Sequence, residues 1–184
     1  MSSWKTLSKK TLITFGKFMR VEQHAIELPT GRVIDDWPWL IGPDFINVLA
    51  ITNEGRFIIF RQEKYGLEGL SLAPVGGYIE PGEVPQAAAR RELLEETGYE
   101  ADEWIDLGHY VVDPNRGVGT GYMYLARGAR RVTMPNADDL EEQTIVMMGQ
   151  EEIEDALRSG QFKSMAWATN IALALLFLKS NEDQ

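Results

Sequence analysis

Within the run RRELLEETGYE, three carboxylates recur at helical spacing: Glu92, Glu95 and Glu96. On an α-helix, residues three and four apart are neighbours, so Glu92 faces both of the others. Like charges placed this way repel by roughly a few tenths of a kcal/mol per pair. A divalent cation would turn that repulsion into attraction. Hard cations such as Mg²⁺ take oxygen ligands, namely carboxylates together with water and substrate phosphate. The other reading is an acidic helix face that water alone screens. A bare REXXEE run favours that plainer reading, so its surroundings must decide.

A helix over 84–97 would position these carboxylates. Pro85 suits a first helical turn, AAARRELLEE is strongly helix-forming, and Gly98 fits the residue that closes a helix. Ala89 and Leu93 fall on a different face and can pack on a sheet. A glycine-bearing loop, GLEGLSLAPVGGYIEPGE, comes before the helix. Its Gly76-Gly77 pair lacks the GxGxxG spacing and the strand-to-helix setting of a dinucleotide fold.

Residues 11–40 read as strands, with Pro-Thr-Gly in ELPTGRVID as a hairpin signal. DDWPWLIGP, with Trp37 and Trp39 around a proline, reads as an edge strand or strand end. FINVLAIT and RFIIFRQEKY flank Asn-Glu-Gly as a second hairpin. Beyond the helix, WIDLGHYVVDP and GYMYLARGA read as strands separated by a loop, NRGVGT. TIVMM is a further short strand. QEEIEDALRSG is a helix closed by Gly160, and 165–179 form the last helix. Strands, helix, strands, helices is the order of an α+β sandwich.

The 184 residues suffice for one domain with a sizeable core, with length left for a small appendage. A net charge of −10 argues against a nucleic-acid backbone as partner. There is no cysteine, hence no disulfide framework and no thiolate zinc site. MSSWKTLSKK has charge but no apolar run behind it, so no secretory signal is expected. The apolar stretch 165–178 is too short to span a bilayer and reads as a buried helix. A cytoplasmic protein without a membrane partner is expected.

From Gly77 the sequence runs Gly, five residues, Glu83, seven residues, Arg91-Glu92-Leu93, one residue, Glu95-Glu96, one residue, Gly98-Tyr99. This resembles the Nudix box, GX5EX7REUXEEXGU, with Tyr99 an aromatic where an aliphatic is usual. At about 6% usage per residue type, chance agreement at a given start is on the order of 10⁻⁸ to 10⁻⁹. The resemblance implies a Nudix fold, in which a mixed β-sheet is sandwiched between helices and the box forms a loop–helix–loop. It also implies Mg²⁺-dependent hydrolysis, or Mn²⁺-dependent, of a nucleoside diphosphate linked to another group. By position Glu92, Glu95, Glu96 and the Gly76 carbonyl would bind metal. Arg91 would brace the glutamates, and Glu83 would support the loop; fold stability is the equal alternative for both.

Features outside the box resemble the ADP-ribose and ADP-sugar pyrophosphatases. These are Pro114, fifteen residues past Tyr99, the segment ELPTGRVIDDWPWL before PDFINVLAIT, and RQEKYG. The resemblance implies an N-terminal antiparallel β-hairpin extension over 1–42, serving dimerisation and substrate contact, and a hydrolase domain over 43–184. It further implies a homodimer. Phe18, Trp37 and Trp39 are candidates to stack on adenine or to line the dimer contact. Lys64 is a candidate phosphate contact, though without arginine's bidentate fork. In the acidic loop NADDLEEQ, Glu141 is the first candidate for a late metal ligand or base, followed by Asp139 and Glu142. The chain reads Ala73-Pro74-Val75 where that subfamily often has Glu-Leu-Pro. The expected substrate is therefore a nucleotide sugar, ADP-ribose first, with ADP-glucose or GDP-mannose as alternatives. A reading of a different class is a non-catalytic module that senses ADP-ribose-like ligands; the intact glutamates count against it.

Overall fold

The computed structural model describes residues 3–136 and 143–182. In chain order the strands are β1 (Lys5–Phe15), β2 (Met19–Glu27), β3 (Val33–Ile41), β4 (Phe45–Thr52), β5 (Phe57–Gln62), β6 (Ser71–Ala73) and β7 (Val75–Tyr78). Helix α1 (Pro85–Thr97) follows, then β8 (Tyr99–Glu100), β9 (Glu103–Asp113), β10 (Gly117–Arg131) and β11 (Gln143–Met148). The chain ends in α2 (Gln150–Arg158) and α3 (Met165–Glu182). Two compact units result: Met1–Asp44 with Tyr110–Gly121, and Phe45–His109 with Tyr122–Gln184.

The first unit is built on an antiparallel meander. β1 pairs with β2 from Lys5↔Glu27 to Phe15↔Met19, and β2 pairs with β3 from Arg20↔Ile41 to Glu27↔Val33. The Pro-Thr-Gly turn forms as the sequence predicts. Gly31 takes φ 84°, and Leu28 N–H donates to the Arg32 carbonyl at 2.8 Å. β2 alternates in burial, so Glu22, His24 and Ile26 share one inward face. β1 begins at Lys5, well before the expected start at Thr11. Every residue of it is exposed, so backbone pairing to β2 holds it and no burial pattern announces it. The predicted loop NRGVGT is shorter than expected. β9 stops at Asp113, before Pro114, and β10 starts at Gly117, paired parallel with Leu40.

The second unit carries the sheet order β10-β4-β5-β11, with β7 on β4, β6 on β5, and β8 and β9 on β10. It is a mixed sheet between helices, an α+β fold. β4 shows why. Ile46, Val48 and Ala50 point to one face and pack with Ala88, Ala89 and Leu93 of α1. Leu49 points to the other and packs with Ile153, Ala156, Ile171 and Ala174 of α2 and α3. A strand buried on both faces reads as one continuous apolar run, which is what FINVLAIT is. The predicted glycine-bearing loop before α1 holds two short strands instead. Leu72, Ala73 and Val75 are buried there, and β6 and β7 pair with β5 and β4. Among the described residues no helix is long and apolar enough to cross a membrane.

Candidate catalytic site

α1 starts without a side-chain cap. Pro85 sits in its first turn, and Ala87 and Ala88 donate their N–H groups to the Val84 carbonyl. Ala88, Ala89, Leu93 and Thr97 are buried, which fixes the rotation of the helix and turns Glu92 and Glu96 towards β7. The helix ends at Gly98, φ 75°, whose N–H donates to Leu94 O. The Gly98 carbonyl accepts from Val132 and Thr133, and Asn136 N–H donates to Glu95 O at 2.8 Å. These bonds tie the segment that leaves β10 to the end of α1.

Gly76 and Gly77 lie in β7, opposite Asn47 and Ile46 of β4. Successive strand residues face opposite sides, so the two glycines form two notches. A Cβ on Gly77 would overlap the Glu92 carboxylate. A Cβ on Gly76 would overlap the Asn47 amide nitrogen and stand 3.0 Å from the Ile46 carbonyl oxygen. The Gly76 N–H meets Glu96 Oε2 at 3.4 Å. Two carboxylates of α1 thus converge on adjacent residues of one strand.

Arg91 is the hub of the cluster. Its Nε and Nη2 each donate to Glu83 at 3.0 Å, a two-pronged pair. Nη1 donates to Glu92 Oε1 at 2.7 Å and to Glu95 Oε2 at 3.1 Å, and Nη2 also reaches the Tyr78 carbonyl at 3.1 Å. Hydrogen bonding to Glu83 first, then to Glu92 and Glu95, raises the Arg91 pKa above its ordinary value against the opposing effect of burial. The Arg91 hydrogen bonds hold the Glu83 carboxyl below the usual carboxylate range, helped by the Glu80 N–H. Planar, multiply donating guanidinium is the group that can serve three carboxylates at once.

The donor chemistry fits a hard divalent cation. Glu92 and Glu96 offer carboxylate oxygens beside the Gly76 strand, the ligand type that Mg²⁺ and Mn²⁺ take. Among the described residues no three acidic or histidine side chains stand ready around one point. Arg91 instead supplies the positive charge that holds Glu92 and Glu95 together. Glu95 is the more exposed of that pair. Glu141, Asp139 and Glu142 lie outside the described residues.

Of the predicted substrate contacts, the first unit brings Trp37, Trp39 and Pro114 around one cavity of about 310 Å³, with Trp4, Lys9 and His24 also lining it. Trp37 donates its indole N–H to Asn115 O at 2.8 Å and meets Trp4 edge-to-face at 5.8 Å. The His24 ring stacks on Trp39 at 5.5 Å. Phe18 lies apart from this cavity, exposed at the β1–β2 turn. Lys64 is half-buried on the β5–β6 connection in the second unit.

Two polar features escaped the sequence reading. Glu22 accepts from Arg20 at 2.8 Å and pairs with His24 Nε2 at 2.9 Å, both Glu22 and His24 being buried. The bond to His24, then the Arg20 guanidinium, holds the Glu22 carboxyl below its usual range. Period-2 alternation in VEQHAIE, with Ile26 as the apolar anchor, would have placed both on the inner face. The other feature is Asn47, 3% exposed, whose Oδ1 has no hydrogen-bond partner among the described residues. An orphaned buried acceptor costs about 1–3 kcal/mol. Nothing in the apolar run FINVLAIT distinguishes this asparagine from a chance polar residue.

Residues 44–168 match the NUDIX domain. The chain belongs to the Nudix family. An ADP-ribose pyrophosphatase of Bacillus subtilis is 28% identical, over 97% of this chain and 94% of its own. A Bacillus methanolicus protein called methanol dehydrogenase activator is 27% identical over the same shares. Among solved structures, an ADP compounds hydrolase superposes with a TM-score of 0.81 at 20% identity, covering 98% of this chain and 97% of that one. That last likeness is one of fold. In this Nudix chain the box is therefore the second half of β7, the turn that carries Glu83, α1 and the first residue of β8.

Proposed function

We propose that this Nudix hydrolase cleaves the pyrophosphate of a nucleoside diphosphate sugar, with ADP-ribose, giving AMP and ribose 5-phosphate, as the leading substrate. The observation that carries this is the convergence of Glu92 and Glu96 on Gly77 and Gly76, braced through Arg91. Relatives along nearly the whole chain support it.

Glu92, Glu95, Glu96 and the Gly76 carbonyl would hold Mg²⁺ or Mn²⁺, with Glu141 completing the set and Asp139 behind it. Such an ion neutralises charge on the pyrophosphate oxygens and lowers the pKa of a bound water. The chain's own contribution is positioning. Arg91 offsets the mutual repulsion of Glu92 and Glu95, and Glu83 fixes the orientation of its guanidinium. Trp37, Trp39 and Phe18 would present flat faces to the base, and Lys64 a charge to a phosphate. Residues 1–42 would form the extension that contacts substrate and pairs two protomers.

A broader choice of sugar has its own support. Ala73 and Val75 are fully buried between β5 and β4, so this stretch offers no carboxylate to the substrate. ADP-glucose and GDP-mannose are the alternatives.

The test is a product assay with Mg²⁺ on ADP-ribose, ADP-glucose, GDP-mannose, diadenosine polyphosphate and NADH, with Glu96→Gln alongside. Nucleoside monophosphate release by the native chain, lost in a folded Glu96→Gln variant, is the expected result. Full activity of that variant would refute the metal assignment. Silence across the panel with tight ADP-ribose binding would establish the sensor reading instead.

A further inference from the structure

We infer that Asn47 is a positioning residue for the metal-binding carboxylates, acting through Gly76. The inference rests on the reading of Glu92 and Glu96 as metal ligands. Asn47 and Gly76 are register partners across β4 and β7, so their side-chain directions share one face of the sheet. The asparagine amide fills the space where a Gly76 side chain would begin, and the Ile46 carbonyl closes the same space from behind. On its other side the Gly76 N–H meets Glu96 Oε2. A continuous line of contact thus runs from Asn47 through Gly76 to Glu96. Gly77, the next residue, seats the Glu92 carboxylate and moves with its neighbour.

Stability does not explain the choice of residue. Asn47 is buried, Leu49 on the same face of β4 is fully buried and apolar, and an apolar side chain at 47 would remove the orphaned acceptor. What asparagine offers is a flat, short end that fits closely against a glycine. A leucine has as many side-chain heavy atoms but is bulkier and ends in a tetrahedral branch. It would push β7 outward by a fraction of an ångström and shift both notches relative to α1. Residues that break the local rule in this way concentrate at functional sites.

The test uses Asn47→Leu and Asn47→Ala in the full chain. Mn²⁺ binding is read by the loss of the free-ion electron paramagnetic resonance signal, folding by circular dichroism and thermal melting, and turnover on the active substrate of the panel. For Asn47→Leu a cooperative melt should remain, because relief of the unpaired acceptor offsets the strain of the larger side chain. The variant's Mn²⁺ dissociation constant should rise at least fivefold and its kcat fall at least tenfold, with KM within twofold. Asn47→Ala, which empties the notch, should also weaken Mn²⁺. A folded variant of either kind with the native Mn²⁺ constant would overturn the inference. So would failure of both to fold, which would make Asn47 a residue of the fold alone. The Mn²⁺ ratio is independent of the substrate. A native chain that binds Mn²⁺ but hydrolyses nothing would defeat the proposed function and leave Asn47 still decided by that ratio. A native chain that binds no Mn²⁺ would sink both.

Discussion

Arg91 donates to three carboxylates and one carbonyl, so its loss cannot be local. Lysine keeps the charge but can reach fewer of these acceptors. Partners that orient ligating carboxylates typically carry 10–100-fold in metal affinity or activity. Arg91→Lys should therefore weaken Mn²⁺ binding by roughly that range, read by the same resonance titration. Glu83 gives a pH test. Its folded pKa lies below the unfolded value of about 4.3. Its contribution to stability is thus fully present above that value and lost as pH falls through the folded pKa. Glu83→Gln should be less stable than the native chain at pH 7, and the difference should shrink towards pH 3 in urea unfolding curves. A gap constant with pH would mean that the ionised Glu83–Arg91 pair does not support the fold. At this scale the box residues were legible because type and spacing both carry information: like charges at helical neighbours demand a reason. Asn47 and the Glu22–His24 pair were not, since a buried polar residue is recognised by its surroundings.

At the scale of elements, α1 is the part that must not move. Leu93 is fully buried among Ile46, Val48, Ile58, Ala88 and Ala89, one position from Glu92. Leu93→Ala should destabilise by about 2–5 kcal/mol, measured by urea unfolding. It should also weaken metal binding, because the helix can then settle towards the cavity. A loss under about 1 kcal/mol would show that the helix is not anchored there. The order of elements, the helix limits and the hairpins could be read from periodicity, caps and turn residues. β6 and β7 could not, because strands of three and four residues, the second carrying two glycines, look like loop until their partners are known. β1 extends beyond what the sequence pattern marks, because it buries nothing that would announce it.

At the scale of the whole molecule, β1 pairs with β2 on one side and lies at the end of the strand order. Leu7, Leu12, Ile13, Phe15 and Phe18 are all exposed on or beside it. Large exposed apolar patches mark interaction surfaces, and an open strand edge invites another strand. Both features support the proposed homodimer. Light scattering should give about twice the chain mass of 20.8 kDa. The double change Leu12→Lys and Phe15→Lys should shift the mass towards one chain while sparing the melting of the second unit. A native protein that is monomeric at micromolar concentration would remove this surface from the dimer reading.

The two notches in β7 also constrain how this stretch can diverge. Position 76 has no room for a methyl group while an asparagine amide occupies its face, and position 77 has none while Glu92 does. The two cases differ in freedom. The Glu92 carboxylate is held by Arg91, so on the proposed reading a side chain at position 77 could enter only by breaking that pair. Position 47 can shorten, after which a small residue at 76 needs only a few tenths of an ångström from the Ile46 carbonyl. In an aligned set of relatives, 47 and 76 should therefore covary, bulk at one appearing only with glycine at the other, while 77 stays glycine whatever stands at 47.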